Sequence, residues 1–126
     1  MHLRSLRLHS FRAHTETTLT LSPGINLFVG PNGAGKTNLL EAVHRAATGG
    51  SHRVAGDAAL VRQGTEHGVV RVAFATDAGT SRRIELEVGG GRRSRLRLDG
   101  QAVRRASDAV GVLRVVVFAP EDLQIV

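Results

Sequence analysis

Apolar and polar residues interleave from the start of the chain, with Leu3, Leu6 and Leu8 set among Arg4, Ser5 and Arg7. The pattern predicts a strand from Leu3 to Phe11 and a second from Glu16 to Leu21, joined by a polar bend at Arg12-Ala13-His14-Thr15. Ser22-Pro23-Gly24 is a turn, and the β-prone run Ile25-Asn26-Leu27-Phe28-Val29 after it predicts a short buried strand. The period then changes. From Lys36 to Ala47, the residues Leu39, Leu40, Val43, Ala46 and Ala47 mark one face of a helix, which Gly49-Gly50 stops before a polar connector from Ser51 to Gly56. Asp57 to Gln63 predicts a short helix. Period two returns in Val69 to Thr76, where Val70, Val72 and Phe74 alternate with Arg71, Ala73 and Ala75. Asp77-Ala78-Gly79 turns this strand onto Arg82 to Val88, and Gly89-Gly90-Gly91 leads to Arg93 to Leu98. Asp99-Gly100 is a type I′ hairpin signal. A short helix over Arg104 to Val110 and a valine-rich strand over Leu113 to Ala119 complete the predicted elements. The sheet is expected to be apolar on one face and arginine-rich on the other.

Between the Ile25 strand and the helix lies Gly30-Pro31-Asn32-Gly33-Ala34-Gly35-Lys36-Thr37, which fits G-x-x-x-x-G-K-[ST]. Lys36 is the only lysine among 17 basic residues, so a chain that otherwise uses arginine keeps a compact ammonium where a phosphate loop needs one. A loop between strand and helix aims its backbone N–H groups and the positive end of the helix dipole at one anion. Gly30, Gly33 and Gly35 let the backbone wrap around phosphate oxygens where a Cβ would collide. Lys36 is expected to reach the β- and γ-phosphates, Thr37 to offer its hydroxyl to Mg²⁺, and Asn38 is a further polar candidate. A glycine turn that matches by chance would lack this strand-and-helix context. The prediction is an α/β P-loop nucleotide-binding fold.

At 126 residues the chain is of single-domain size. Two regions are expected within it: a P-loop core over 1–56 and an arginine-rich β region over 57–126. There are no cysteines, so disulfides and thiolate metal sites are excluded, and the six histidines lack metal-ligand spacing. The interleaved N-terminus is not a signal peptide and no run reaches the length of a membrane span, so a cytoplasmic protein with no membrane partner is expected. The formal charge is +6. Arg82, Arg83, Arg92, Arg93, Arg95, Arg97, Arg104 and Arg105 face only Glu85, Glu87 and Asp99 within their segment. Such a field favours phosphate-bearing partners, and Arg92, Arg93, Arg95 and Arg97 are candidate nucleic-acid contacts; a solvated face is the alternative. With four phenylalanines and no Trp or Tyr, base stacking is not expected, which leaves contact to backbone phosphates.

A P-loop ATPase also needs an acid at the end of a second apolar strand. The sole candidate stretch is Val115 to Asp122, where Ala119-Pro120 separate the strand from Glu121 and Asp122. No catalytic residue is assigned within the chain. These residues by themselves are expected to bind nucleotide without hydrolysing it.

The order strand, Ser10-Phe11-Arg12, strand, Ser22-Pro23-Gly24, strand, Gly30 to Thr37, Asn38-Leu39-Leu40-Glu41-Ala42 resembles the N-terminal lobe of ABC-type ATPase heads, the group that includes SMC and Rad50-like proteins. Thr48-Gly49-Gly50-Ser51-His52-Arg53, the Asp99-Gly100 turn with Val103-Arg104-Arg105, and Phe118-Ala119-Pro120-Glu121-Asp122-Leu123 are similar to the RecF family of bacterial recombination mediators. The resemblance implies an ABC/SMC-like ATPase head with a mixed, partly antiparallel sheet. It further implies ATP and Mg²⁺ as cofactors and an ATP-dependent homodimer on gapped or junction DNA. Other recombination mediators would be its partners, with roles in replication, recombinational repair and the SOS response. By the same resemblance, Arg12 is a candidate for the adenosine or α-phosphate, and Glu121, or Gln124, for a γ-phosphate sensor. The signature loop, Walker B acids, D-loop and switch histidine of such heads are absent, so an N-terminal fragment of a slow DNA-dependent ATPase is expected. The alternatives are another ABC-type head, SMC-like or OLD-type, and a P-loop nucleotide kinase or GTPase.

Overall fold

A computed structural model of the chain describes residues 1–30, 35–48, 61–62, 64–89, 95–103 and 111–116. Six strands form one sheet: β1 (His2–Phe11), β2 (His14–Thr20), β3 (His67–Ala75), β4 (Ser81–Gly89), β5 (Arg95–Leu98) and β6 (Gln101–Ala102), in the order β2-β1-β3-β4-β5-β6. All five described ladders are antiparallel. Because β1 pairs with β3, strands from both sides of residue 56 share this sheet.

The predicted alternation is what divides the two faces. Leu6 and Leu8 on β1, Val70, Val72 and Phe74 on β3, Ile84, Leu86 and Val88 on β4, and Leu96 on β5 all point to one side and are buried. Helix α1 (Lys36–Thr48) covers that side with Leu39, Ala42, Val43, Ala46 and Ala47. Leu40, expected on the apolar face, is instead half exposed, because the stripe of a 3.6-residue period passes through Leu39, Val43 and Ala46 and leaves position 40 at its margin.

Two positive-φ residues reshape the end of β1. Strict alternation would turn Phe11 outward with Arg7 and His9. Ser10 adopts φ +50°, which breaks the alternation and drives Phe11 into the core, where it bridges to Val61. Arg12 follows at φ +51°, a conformation that costs a non-glycine residue about 1–2 kcal/mol and needs surrounding contacts to hold it. Arg62 provides part of that hold: its N–H donates to the Ser10 carbonyl at 2.8 Å and its guanidinium to the Ala13 carbonyl at 3.0 Å.

Three expectations are corrected. Ile25 to Val29 forms no strand; Ile25, Leu27 and Val29 are 97%, 83% and 86% exposed, and Phe28 is 38% exposed instead of buried. A β-prone sequence becomes a strand only where a neighbour takes its backbone N–H and C=O groups, and no described strand lies alongside it. Of the Leu113 to Ala119 strand, Leu113 is buried, Arg114 to Val116 join no ladder among the described residues, Val116 is exposed, and residues 117–119 lie outside them. The bend between β1 and β2 is shorter than expected, since β2 already starts at His14. The predicted helix over Arg104 to Val110, most of the Asp57 to Gln63 helix, the Gly49-Gly50 stop, and Glu121, Asp122 and Gln124 lie outside the described residues.

The β5–β6 hairpin follows its sequence signal. Asp99 and Gly100 both have positive φ, +53° and +87°, as a type I′ turn demands. The Asp99 carboxylate accepts from the Arg83 backbone N–H at 2.9 Å and from the Arg82 guanidinium at 2.9 and 3.0 Å. The Arg83 N–H, and then Arg82, hold its carboxyl below the usual carboxylate range. A carboxylate with a depressed folded-state pKa stabilises the fold above its unfolded value near about pH 4, and that stability is lost as pH falls through the depressed value. Asp99→Asn, which keeps an acceptor for Arg83, is therefore expected to melt below wild type at neutral pH, with the gap narrowing as the pH drops below about 4. Thermal melts across that range check it; a gap that stays constant with pH would remove the charge from the explanation.

Candidate nucleotide site

The site is assembled where the β1–β2 bend meets the N-terminus of α1. Gly35 sits at φ +90° immediately before Lys36, the first residue of the helix. The backbone angle calls for glycine, and a Cβ there, 2.6 Å from the His14 Nε2, would also push the His14 ring aside. The first turn of α1 carries no acidic residue, which leaves the positive end of its dipole without a side-chain counter-charge. Arg45 lies in the last turn, at the negative end.

Lys36 extends its ammonium to the carbonyl of Gly30, joining the two ends of the phosphate-loop motif. Thr37 has an exposed side chain and Asn38 a half-buried one. Pro31, Asn32, Gly33 and Ala34 lie outside the described residues. Of the motif's eight positions, the structure therefore places Gly30, Gly35, Lys36 and Thr37.

Two contacts here had no local signal in the sequence. His14 donates from Nε2 to the Gly35 carbonyl at 2.9 Å, and its Nδ1 lies 2.8 Å from the Thr17 hydroxyl. A carbonyl only accepts, so Nε2 carries the proton, and in neutral His14 the Thr17 hydroxyl donates to Nδ1. Arg12 makes a two-pronged ion pair with Glu41 of α1, Nε to Oε1 at 2.8 Å and Nη2 to Oε2 at 3.0 Å. The β1–β2 connection is thus tied to the helix at two points, one on the glycine and one nearly two turns further along. A lone histidine in a turn and a glutamate on a helix carry no spacing that links them across 21 and 29 residues; only the packing of α1 beside the bend does.

Among the described residues no group of three His, Asp or Glu side chains is placed to hold a metal. A divalent ion here would take its ligands from the Thr37 hydroxyl, phosphate oxygens and water, the mode Mg²⁺ favours. The candidate nucleic-acid residues stand apart from this site. Arg95 and Arg97 are exposed on β5, opposite Glu87 and Glu85 of β4, while Arg92 and Arg93 lie outside the described residues. Among the described residues no helix is long and apolar enough to cross a membrane.

Comparison with known proteins agrees with this geometry. The family model described as AAA domain matches residues 5–115. The DNA replication and repair protein RecF of Acidothermus cellulolyticus is 53% identical over the whole chain, and that of Kineococcus radiotolerans 52%. The chain spans about a third of these relatives' length, 34% and 32%. Among solved structures, the recombination mediator protein RecF-ATP of the RecFOR pathway superimposes with a TM-score of 0.86 at 26% identity, covering 98% of this chain and 34% of that one. The SMC head domain from Thermotoga maritima gives 0.70 at 20% identity, over 86% of this chain and 40% of that one. The fold is that of the N-terminal lobe of an ABC/SMC-like ATPase head, and nothing in these likenesses supports a nucleotide kinase or GTPase. The chain belongs to the AAA-domain family and, within it, to the RecF proteins.

Proposed function

We propose that this chain is the ATP-binding lobe of a DNA replication and recombinational repair protein. One observation carries the reading: the Lys36 ammonium, the acid-free N-terminus of α1 and the left-handed Gly35 converge at the ends of a phosphate-loop motif. Gly30 to Thr37 would hold the ATP phosphates, with Lys36 exchanging its Gly30 carbonyl for the β- and γ-phosphates and Asn38 adding a polar contact. The Thr37 hydroxyl would hold Mg²⁺, which when bound supplies neutralisation of phosphate charge. Arg12 is the candidate for the adenosine or α-phosphate. Its guanidinium is engaged by Glu41 of α1, so contact with nucleotide would require release from that fork.

The relatives' names support DNA as the polymer partner, and the likeness to SMC heads fits an ATP-dependent homodimer; other recombination mediators as partners and a cytoplasmic location complete the proposal. Arg92, Arg93, Arg95 and Arg97 would contribute phosphate contacts. In such an assembly nucleotide and DNA are coupled ligands. The intact protein is expected to bind DNA about 5- to 150-fold more tightly with Mg-ATP than without, the usual range for coupled sites. Fluorescence anisotropy with a labelled gapped duplex measures this, and equal affinity in both conditions would defeat the reading.

A further inference from the structure

The face of the sheet opposite α1 holds a cleft of about 350 Å³ lined by Arg7, Arg71, Arg83 and Arg97, with Glu85 the sole acid among its lining residues. The strand register builds it. Arg7 lies opposite Arg71, Arg71 opposite Glu85, and Glu85 opposite Arg97, so one row of side chains crosses β1, β3, β4 and β5. At about 4.8 Å per strand the row is about 14 Å long. Arg83 stands in the next row, where Ser5, Ala73 and Arg83 align.

The charges in this row are not balanced. Glu85 is taken by Arg71, whose Nε donates to it at 2.8 Å. Both oxygens of nearby Asp99 are engaged by Arg82 and by the backbone N–H of Arg83. The guanidinium groups of Arg7 and Arg97 form no hydrogen bond or ion pair with any described residue. Like charges placed directly across strands, as Arg7 and Arg71 are, oppose sheet formation. On the other side of the row, Glu16, His9, Val69, Glu87 and Arg95 align, a mixed row whose two acids bound the basic one.

We propose that this cleft is a seat for backbone phosphates of a nucleic-acid strand, with Arg7 and Arg97 as its free cations and Arg71 and Arg83 completing the rim. The inference rests on the DNA reading given above and assigns part of that contact to residues on three strands besides β5. Guanidinium groups suit phosphate oxygens bidentately, and the sheet backbone at Val72, Ala73 and Ile84 forms the floor between the arginine stems, the Val72 and Ile84 side chains being turned to the helix side. A protein partner is disfavoured because the large exposed hydrophobic residues, Met1, Ile25, Leu27, Phe28, Val29, Leu40 and Val116, are all absent from the lining of this cleft, and protein interfaces rely on such anchors.

The test uses the intact protein without nucleotide, a fluorescein-labelled single-stranded oligonucleotide and its duplex, and anisotropy over a salt series. Removing two phosphate contacts by Arg7→Gln/Arg97→Gln is expected to flatten the slope of log Kobs against log salt by about 1.8 for duplex and about 1.4 for single strand. Arg114→Gln, which removes a charge on the helix side, is expected to leave the slope as in wild type. An unchanged slope in the double variant would overturn the seat and give the cleft to an acidic protein segment. Equal flattening by Arg114→Gln would overturn it in favour of net charge. Wild-type protein that binds neither probe would instead bring down the DNA reading itself, and the seat with it.

Discussion

Lys36→Ala is expected to lower the affinity of the intact protein for Mg-ATP by about 30-fold to several-thousand-fold. Truncating one partner of a hydrogen-bonded charge pair in a shielded site costs about 2–5 kcal/mol, and each 1.4 kcal/mol is tenfold in Kd. Lys36 takes the upper part of that range because the described part of the loop offers no other side-chain cation, and Arg12, the other candidate, is engaged by Glu41. Lys36→Arg is expected to restore little, since a planar guanidinium cannot sit as a compact ammonium does between a carbonyl and two phosphates. Titration with a fluorescent ATP analogue measures both variants. Their melting points without nucleotide should stay close to wild type, because the one hydrogen bond the side chain makes among the described residues is to the Gly30 carbonyl. ATP affinity unchanged in Lys36→Ala would remove the site assignment, whatever the family relation.

Phe74→Ala is expected to destabilise the protein by about 3–5 kcal/mol, the usual cost of emptying a core aromatic position. Phe74 is fully buried on β3, the strand that pairs with both β1 and β4, and belongs to the cluster that includes the buried face of α1. A cavity there weakens the support on which the helix, and with it Lys36 and Thr37, is placed. Set against a total of about 5–15 kcal/mol for an ordinary domain, the loss is large enough to appear as a shifted urea midpoint and as weaker nucleotide binding at moderate temperature. Thr18→Ala, on the edge strand β2, is the matched control and should change stability by no more than about 0.5 kcal/mol. A loss at Phe74 as small as that of the control would mean that the helix does not depend on the sheet core for its position.

Both predictions, and the structure behind them, differ in how far they were legible in the residues alone. The phosphate loop was legible because its chemistry is local: three glycines, a lysine and a hydroxyl within eight residues can serve one phosphate group without help from a distant segment. Helix α1 and strands β1 to β5 were legible for a related reason. A period of two or 3.6 records which side of an element meets the core, and Val70, Val72 and Phe74, or Leu39, Val43 and Ala46, carry that record without reference to their partners. The type I′ turn at Asp99-Gly100 was readable as well, since the positive φ it needs is a property of those two residues.

What depended on partners was not readable. Ile25 to Val29 has the composition of a buried strand, yet strand formation is decided by whether a neighbour supplies backbone hydrogen bonds, and among the described residues none does. His14 on Gly35 and Arg12 on Glu41 accompany the positive φ angles of Ser10 and Arg12 at the end of β1, which residue types do not announce. The arginine face shows the division most clearly. The sequence determined that β4 and β5 present arginines to one side, but only the sheet order, which inserts β1 and β3 beside them, brings Arg7 and Arg71 into the same row as Arg97. Side-chain alternation is fixed within a strand, whereas the neighbour a strand receives is fixed by the burial of the whole sheet against α1.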